Sequence, residues 1–335
     1  MLKIEQIENY KSKLNLFDTQ IAIKYVKDEF EKQLAKALNL TRVSAPLFVT
    51  HSSGLNDGLN GVEKPVSFNV NYIDDDIEII HSLANWKRMA LKKYNFSSGS
   101  GLYTDMNAIR KDENPDFIHS IYVDQWDWER VINKEDRTYS YLKKIVRIIY
   151  KQIVNIQTKV SKKFPSLQAN LPKNITFIST RQAEKLFPNY TRKDREDALC
   201  RKYGAIFLYQ IGWNLKDKKP HDGRAADYDD WKLNGDIILY YPLYDMGLEI
   251  SSMGIRVNKE SLVKQLAFKN ESDKLSNSYC RGILNDTLPL TIGGGIGQSR
   301  LCMFMLQKAH IGEVQVSNWP DKELEKYSKC GISLL

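Results

Sequence analysis

Asp236-Ile237-Ile238-Leu239-Tyr240-Tyr241-Pro242-Leu243-Tyr244-Asp245-Met246-Gly247-Leu248-Glu249-Ile250-Ser251-Ser252-Met253-Gly254-Ile255-Arg256-Val257 decides the architecture. It holds two apolar strand-like runs, 236–241 and 248–257, with no room for a helix between them. Parallel neighbours need a long crossover, so such runs pair antiparallel. Further short strands read at 175–178 and 205–211, and earlier ones at 78–83 and 121–131. Strands clustered in this way predict an α+β fold, a mostly antiparallel sheet flanked by helices and not a doubly wound one.

Working outward, 18–39 reads as an amphipathic helix capped by Asp18, with Ile23, Val26, Phe30, Leu34 and Leu38 on one face. A second helix follows at 84–94. A long third spans 139–160, apolar at 142, 145, 146, 149, 153, 156 and 160. Residues 43–49, with Pro46 embedded, suit an edge or interface strand. A Gly/Asn-rich loop occupies 52–61, and a charged surface loop 214–224. There is no internal repeat. The expectation is a single domain over 1–335 with an N-terminal tail of about 1–17.

At 335 residues and 42% apolar content, such a chain buries roughly three quarters of its unfolded surface. No apolar run approaches the ~20 residues of a membrane span. Met1-Leu2-Lys3-Ile4-Glu5-Gln6 has no signal-peptide character. Cys200, Cys280, Cys302 and Cys330 are widely spaced, which predicts reduced thiols, a cytoplasmic location and no structural zinc. Lysine and arginine exceed acidic residues by eight (49 − 41). That surplus suggests anionic ligands, yet no polybasic block reads as a nucleic-acid arm.

Four segments carry candidate chemistry. In Thr291-Ile292-Gly293-Gly294-Gly295-Ile296-Gly297-Gln298-Ser299-Arg300-Leu301-Cys302-Met303, glycines lead into Arg300 and a helix-like run. It is either a close-approach site for an anion or a glycine turn capping an ordinary helix. It is neither a P-loop nor a dinucleotide fingerprint, which wants glycine where Gln298 stands. In Val123-Asp124-Gln125-Trp126-Asp127-Trp128-Glu129, alternation puts Gln125, Asp127 and Glu129 on one face and the tryptophans on the other. The polar face is either solvated or a ligand site. Asp236 and Glu249, plausible neighbours on adjacent strands beside Ser252 and Arg256, suit Mg²⁺, or else are a turn aspartate and an exposed glutamate. Asp227-Tyr228-Asp229-Asp230-Trp231, preceded by Arg224, is an acidic turn or part of the same site. By default Asp57 is a turn residue, and Lys87 with Arg88 a solvated helix face.

Together these segments resemble a family. The 293–300 run is similar to motif 3 of the class II aminoacyl-tRNA synthetases, Ala108-Ile109-Arg110-Lys111-Asp112-Glu113 to motif 2, and 41–48 with Pro46 to motif 1 at a dimer interface. From about 20 to 320 the chain resembles the ammonia-dependent asparagine synthetases (aspartate–ammonia ligases). The strings that carry this are His81-Ser82-Leu83-Ala84-Asn85-Trp86-Lys87-Arg88, Gly101-Leu102-Tyr103-Thr104, Tyr122 to Glu129, Asp227 to Trp231 and Gly293 to Leu301. Asn85, and a short lysine-rich stretch after Trp231, depart from the family pattern without touching a motif position.

The resemblance implies asparagine synthesis from L-aspartate, ammonia and ATP through β-aspartyl-AMP, with release of AMP and diphosphate. It implies Arg110 at the α-phosphate and Arg300 against the adenine face and terminal phosphates. Asp236 and Glu249 would hold Mg²⁺. Asp57 and Asp127 are implied for the substrate ammonium, with Gln125 nearby, and Lys87 and Arg256 for its carboxylates; Ser252 is also implied on the aspartate side. Arg224, Asp229 and Gly295 would complete the ATP side. A homodimer with Pro46 near its interface is expected, with no nucleic-acid or membrane partner. No cysteine sits in a nucleophile-like turn, so free ammonia rather than glutamine is the expected donor. Rival readings are a true or truncated aminoacyl-tRNA synthetase and a catalytically dead regulator. No segment reads as an anticodon module, which opposes the first; Arg110, Glu249 and Arg300 together oppose the second.

Overall fold

The computed structural model describes residues 10–59 and 63–335. Residues 1–9, about half of the expected tail and including Met1 to Gln6, and Asn60 and Gly61 of the glycine-rich loop lie outside the described residues. Helix α1 (Leu16–Leu38) precedes strands β1 (Leu40–Arg42), β2 (Phe48–Thr50), β3 (Ser67–Val70) and β4 (Ile73–Ile79). Next come α2 (Ala84–Lys93), β5 (Gly101–Ile109), β6 (Tyr122–Val131) and α3 (Tyr139–Lys163). The middle of the chain gives β7 (Thr176–Ser179), α4 (Thr180–Leu186), α5 (Arg192–Tyr203), β8 (Ala205–Tyr209), β9 (Asp229–Tyr241) and β10 (Met246–Arg256). It closes with α6 (Lys259–Lys269), α7 (Ser278–Leu284), β11 (Thr291–Gly297), α8 (Gln298–Met305) and α9 (Asp321–Lys329).

Among the described residues one eight-stranded sheet runs β1-β5-β6-β11-β10-β9-β8-β7, and β2-β4-β3 form a small second sheet. Only the outer pairs β1–β5 and β7–β8 are parallel. The mostly antiparallel expectation holds, and β9 with β10 pair antiparallel as the opening stretch predicts. The seven apolar positions of α3 are all buried, as are Val26, Phe30, Leu34 and Leu38 of α1. These two helices cover one face of the sheet, where Phe30 meets Trp126 with ring centroids 4.9 Å apart. That face is the core. The other carries Gln125, Asp127 and Glu129.

Several local readings change. Asn15, not Asp18, caps α1: its side chain accepts the Asp18 N–H at 2.8 Å. Residues 43–47 are not a strand; the chain there crosses from the large sheet to the small one, and pairing resumes at Phe48. The strand read at 78–83 ends at Ile79, because the Asn56 amide engages the Ile79 carbonyl and the His81 N–H in place of a neighbouring strand. Helices α4 and α5 stand between two short strands that carry no such sign. The 214–224 loop begins at the surface, but its end turns inward, with His221 buried.

The glycine-rich run is neither a loop nor a turn. It is β11, in the middle of the sheet, pairing with β6 and β10. Gly293 lies opposite Glu129 and Gly295 opposite Asp127. A Cβ on Gly293 would overlap Glu129 Oε2, and one on Gly295 would overlap Gln125 Oε1. Glycine here clears the polar face for its neighbours' side chains.

Candidate active site

The polar face of β6, β11, β10 and β9 forms the floor of a cavity of about 420 Å³, within the usual range for small-molecule sites. Helix α2, the segment after β5 and the 222–224 turn supply its walls. Of the expected site residues, Lys87, Arg110, Gln125, Asp127, Arg224, Asp229, Glu249, Ser252, Arg256, Gly295 and Arg300 line it. Asp57 and Asp236 stand just outside the lining, both buried. Residues spread over more than two hundred positions thus converge.

Charge on the floor is arranged in pairs. Arg256 Nη1 donates to Asp229 Oδ1 at 2.6 Å, while Nε and Nη2 donate to Glu129, the latter at 2.7 Å. Thr291 Oγ1 adds a hydrogen bond to Glu129 at 2.6 Å. Lys87, on the first turn of α2, pairs with Asp127 and donates to the Trp128 carbonyl at 3.1 Å. Burial pushes the Asp127 and Asp229 carboxyls up, against the opposing pull of Lys87 and Arg256. Burial acts on Glu129 too, but Arg256 and Lys87 outweigh it and hold that carboxyl low. Buried charge of this density persists only because each member has a partner.

Asp236 pairs with Arg224, whose Nη1 also donates to Asp222 at 2.8 Å. Burial, reinforced by Glu249, pushes the Asp236 carboxyl up. In the register Asp236 faces Ser252, and Glu249 faces Ile238 two residues further along, past a bulge at Ile250. The two carboxylates are therefore diagonal neighbours, close enough to feel each other's charge. Asp236 Oδ1 is buried without a partner. An unpartnered hard oxygen beside a second carboxylate is a donor set suited to Mg²⁺ completed by phosphates. Among the described residues no three His, Cys, Asp or Glu are placed together so as to hold a metal ion by themselves.

Two arginines sit on the cavity wall. Arg110 follows β5, and its Nε is buried without a partner. Arg300 lies on α8 and donates from Nη1 to the Glu249 carbonyl at 3.2 Å. The α8 N-terminus is already occupied: Asp124 accepts from Ser299 N–H at 3.0 Å and Ser299 Oγ at 2.8 Å, and is paired to Lys27 at 2.9 Å. Positive charge near this end comes from Arg300, and not from the helix terminus. Alternation places Asp124 with the tryptophans, and nothing in its segment marks this role. Glu129 was visible on the polar face but not as the partner of Arg256. His81, buried in the cavity wall, was visible only as the first residue of a longer string.

A model of the family described as aspartate-ammonia ligase matches residues 17–331. The chain is 56% identical over 326 residues to the aspartate–ammonia ligase of Fusobacterium nucleatum subsp. nucleatum, covering 97% of this chain and 99% of that one. It is 54% identical over 329 residues to the aspartate–ammonia ligase of Ruminiclostridium cellulolyticum, covering 98% of each. Among solved structures, asparaginyl-tRNA synthetase from Pyrococcus horikoshii complexed with asparaginyl-adenylate superposes with a TM-score of 0.65 at 15% identity, covering 90% of this chain and 70% of that one. Likeness at that identity speaks to the fold, which is the class II aminoacyl-tRNA synthetase fold.

Proposed function

This chain belongs to the aspartate–ammonia ligase family, and from that premise we propose how its cavity makes asparagine. A free carboxylate is a poor acyl donor because oxide is a poor leaving group. The β-carboxylate of aspartate therefore attacks the α-phosphorus of ATP, giving β-aspartyl-AMP and diphosphate. Ammonia then opens the mixed anhydride, releasing AMP.

Bringing two anions into line makes positive charge at the α-phosphate the largest requirement. Arg110 meets it; a buried, unpartnered Nε supports this role. Arg300 contacts the adenine face and terminal phosphates, with Gly295 leaving room beneath. Lys87 and Arg256 take the aspartate carboxylates. Three of Arg256's five N–H groups hold Glu129 and Asp229, leaving two for substrate. Asp127 and Asp57 receive the α-ammonium, with Gln125 and Ser252 hydrogen-bonding beside them; Asp57 Oδ2 and Asp127 Oδ2 are both buried without partners. Arg224 and Asp229 brace the ATP and aspartate sides. Asp236 and Glu249 would hold Mg²⁺, which when bound neutralises charge on the departing diphosphate.

The enzyme works as a cytoplasmic homodimer on small molecules, without a nucleic-acid or membrane partner. Buried free thiols at Cys200, Cys280 and Cys302 support the reducing compartment, and half-exposed Leu47 and Phe48 beside Pro46 support the dimer.

The observation that carries this reading is the convergence of Lys87, Arg110, Arg224, Arg256 and Arg300 on one cavity. Incubation with ATP, aspartate and ammonium should yield asparagine, AMP and diphosphate in equal amounts. Appearance of ADP and phosphate would overturn the adenylate route, and efficient synthesis from glutamine alone would overturn ammonia as donor.

A further inference from the structure

The second half of the reaction has a requirement that the roles above leave unmet. At neutral pH ammonia is almost wholly ammonium, whose nitrogen has no lone pair, so a proton must leave before the carbon–nitrogen bond can form. The carboxylates around the cavity are poor choices for accepting it. Asp127 is paired with Lys87, Glu129 and Asp229 with Arg256, and Asp222 with Arg224. Asp124 is held by Lys27 and Ser299, and Asp112 by Lys111. Each would have to give up an ion pair to take a proton. Glu249 lies beside Asp236, on the side proposed for the metal, and Asp57 is committed to the substrate's α-ammonium. Glu63 and Glu113 also border the cavity but are partly exposed, where solvent already serves them.

His81 differs from all of these. It is 1% exposed, forms part of the cavity wall, and its Nε2 has no hydrogen-bond partner among the described residues. A buried, unpartnered ring nitrogen costs stability unless a ligand supplies the missing partner. The backbone around it is fixed on purpose-built contacts. Asn56 Oδ1 accepts the His81 N–H at 2.8 Å, and the Asn56 amide donates to Glu78 at 3.1 Å and the Ile79 carbonyl at 3.3 Å. Two residues on, Leu83 accepts the backbone N–H of Lys87 at 2.9 Å, so the imidazole and the Lys87–Asp127 pair are set by one short segment. Asp112, from the turn after β5, lines the same cavity. Lys64, Lys87 and Arg110 also face the cavity beside it.

We propose that His81 Nε2 is the base that takes the proton from ammonium. The step rests on the adenylate reading above. An N–H bond of NH₄⁺ breaks, its electron pair stays on nitrogen, and the proton passes to His81. The lone pair of NH₃ forms the bond to the β-carbonyl carbon of aspartyl-AMP. The carbon–oxygen bond to AMP then breaks with its electron pair, and a second proton passes from nitrogen to the departing phosphate. Asparagine, singly protonated AMP and protonated His81 remain, so atoms and charge balance. Imidazole suits the task because its unprotonated ring nitrogen can take up a proton and pass it on.

The test separates the two half-reactions and two nucleophiles, with His81→Gln and His81→Asn compared in parallel. Aspartate-dependent ATP–diphosphate exchange reports adenylation and folding together, and should stay near the parent enzyme's rate. Turnover with ammonium should fall about 10²-fold or more, the usual contribution of a positioned base. Hydroxylamine is largely neutral at pH 7 and needs no base before attack, so formation of β-aspartyl hydroxamate should survive. Equal losses with ammonium and hydroxylamine would overturn the proposal, as would undiminished ammonium turnover. Loss of exchange in both variants would also overturn it, since His81 would then serve the first step or the fold. If the parent enzyme itself shows no exchange, the adenylate reading fails instead, and the two failures are told apart.

Discussion

Arg110 is the side chain whose loss should separate chemistry from folding most cleanly. It lies beyond the end of β5, on the cavity wall, and its Nε holds no partner among the described residues. Arg110→Ala should melt as the parent does and lose at least about 10²-fold in kcat, the scale of a missing transition-state donor. Near-parental turnover would take Arg110 out of the mechanism. Asp227 offers a different readout. Burial raises its carboxyl from 3.8 to about 6, opposed by Lys274 and reinforced by Asp57 and Glu271. Between those values the folded chain holds a proton that the unfolded chain has released, so stability declines as pH rises through the window. The difference corresponds to roughly 3 kcal/mol. Asp227→Asn should therefore flatten the fall in urea-unfolding free energy between pH 4 and pH 7; an unchanged profile would show that Asp227 does not titrate there.

At the scale of elements, β11 and α8 act as one device. Gly293 leaves space for the Glu129–Arg256 pair, and both partners are locked by further bonds. Gly293→Ala should cost about 1–3 kcal/mol as an overpacked core does, read from urea midpoints. Gly295 faces only the end of the Gln125 side chain. Gly295→Ala should keep its stability and lose about tenfold or more in kcat/KM for aspartate, the worth of one displaced polar contact. If both variants lost stability equally, the difference between a locked and a movable neighbour would be wrong. Asp124 then fixes where α8 begins, and with it Arg300. Asp124→Ala should cost about 0.5–2 kcal/mol for the lost cap and raise KM for ATP more than KM for aspartate.

At the scale of the whole molecule, the small β2-β4-β3 sheet leaves Leu47, Phe48 and Phe68 substantially exposed. If these cover a second copy, the parent should sediment as a dimer and Phe48→Asp as a monomer at the same concentration. A parent monomer at every concentration would remove the dimer from the account. The antiparallel sheet, the long third helix and the core face of α1 were legible because periodicity reports which side of an element is buried. The polar face of β6 was legible as a pattern, but not as a choice between solvent and site. Only neighbours from β10, β11 and α2 made that choice. Helices α4 and α5 were missed because their sequences are charged and weakly patterned, and tertiary packing supplies what local preference does not.

The sequence by itself determined the class of fold, the family and eleven of the residues that line the cavity, most of its charged floor among them, since these depend on local pattern and motif. The tertiary structure decided who is paired with whom. It turned the glycine run into a central strand, gave Arg256 to Glu129 and Asp229, gave the α8 terminus to Asp124, and left His81 Nε2 without a partner. Pairing of that kind depends on register and approach between segments far apart in the chain, and no single segment encodes it.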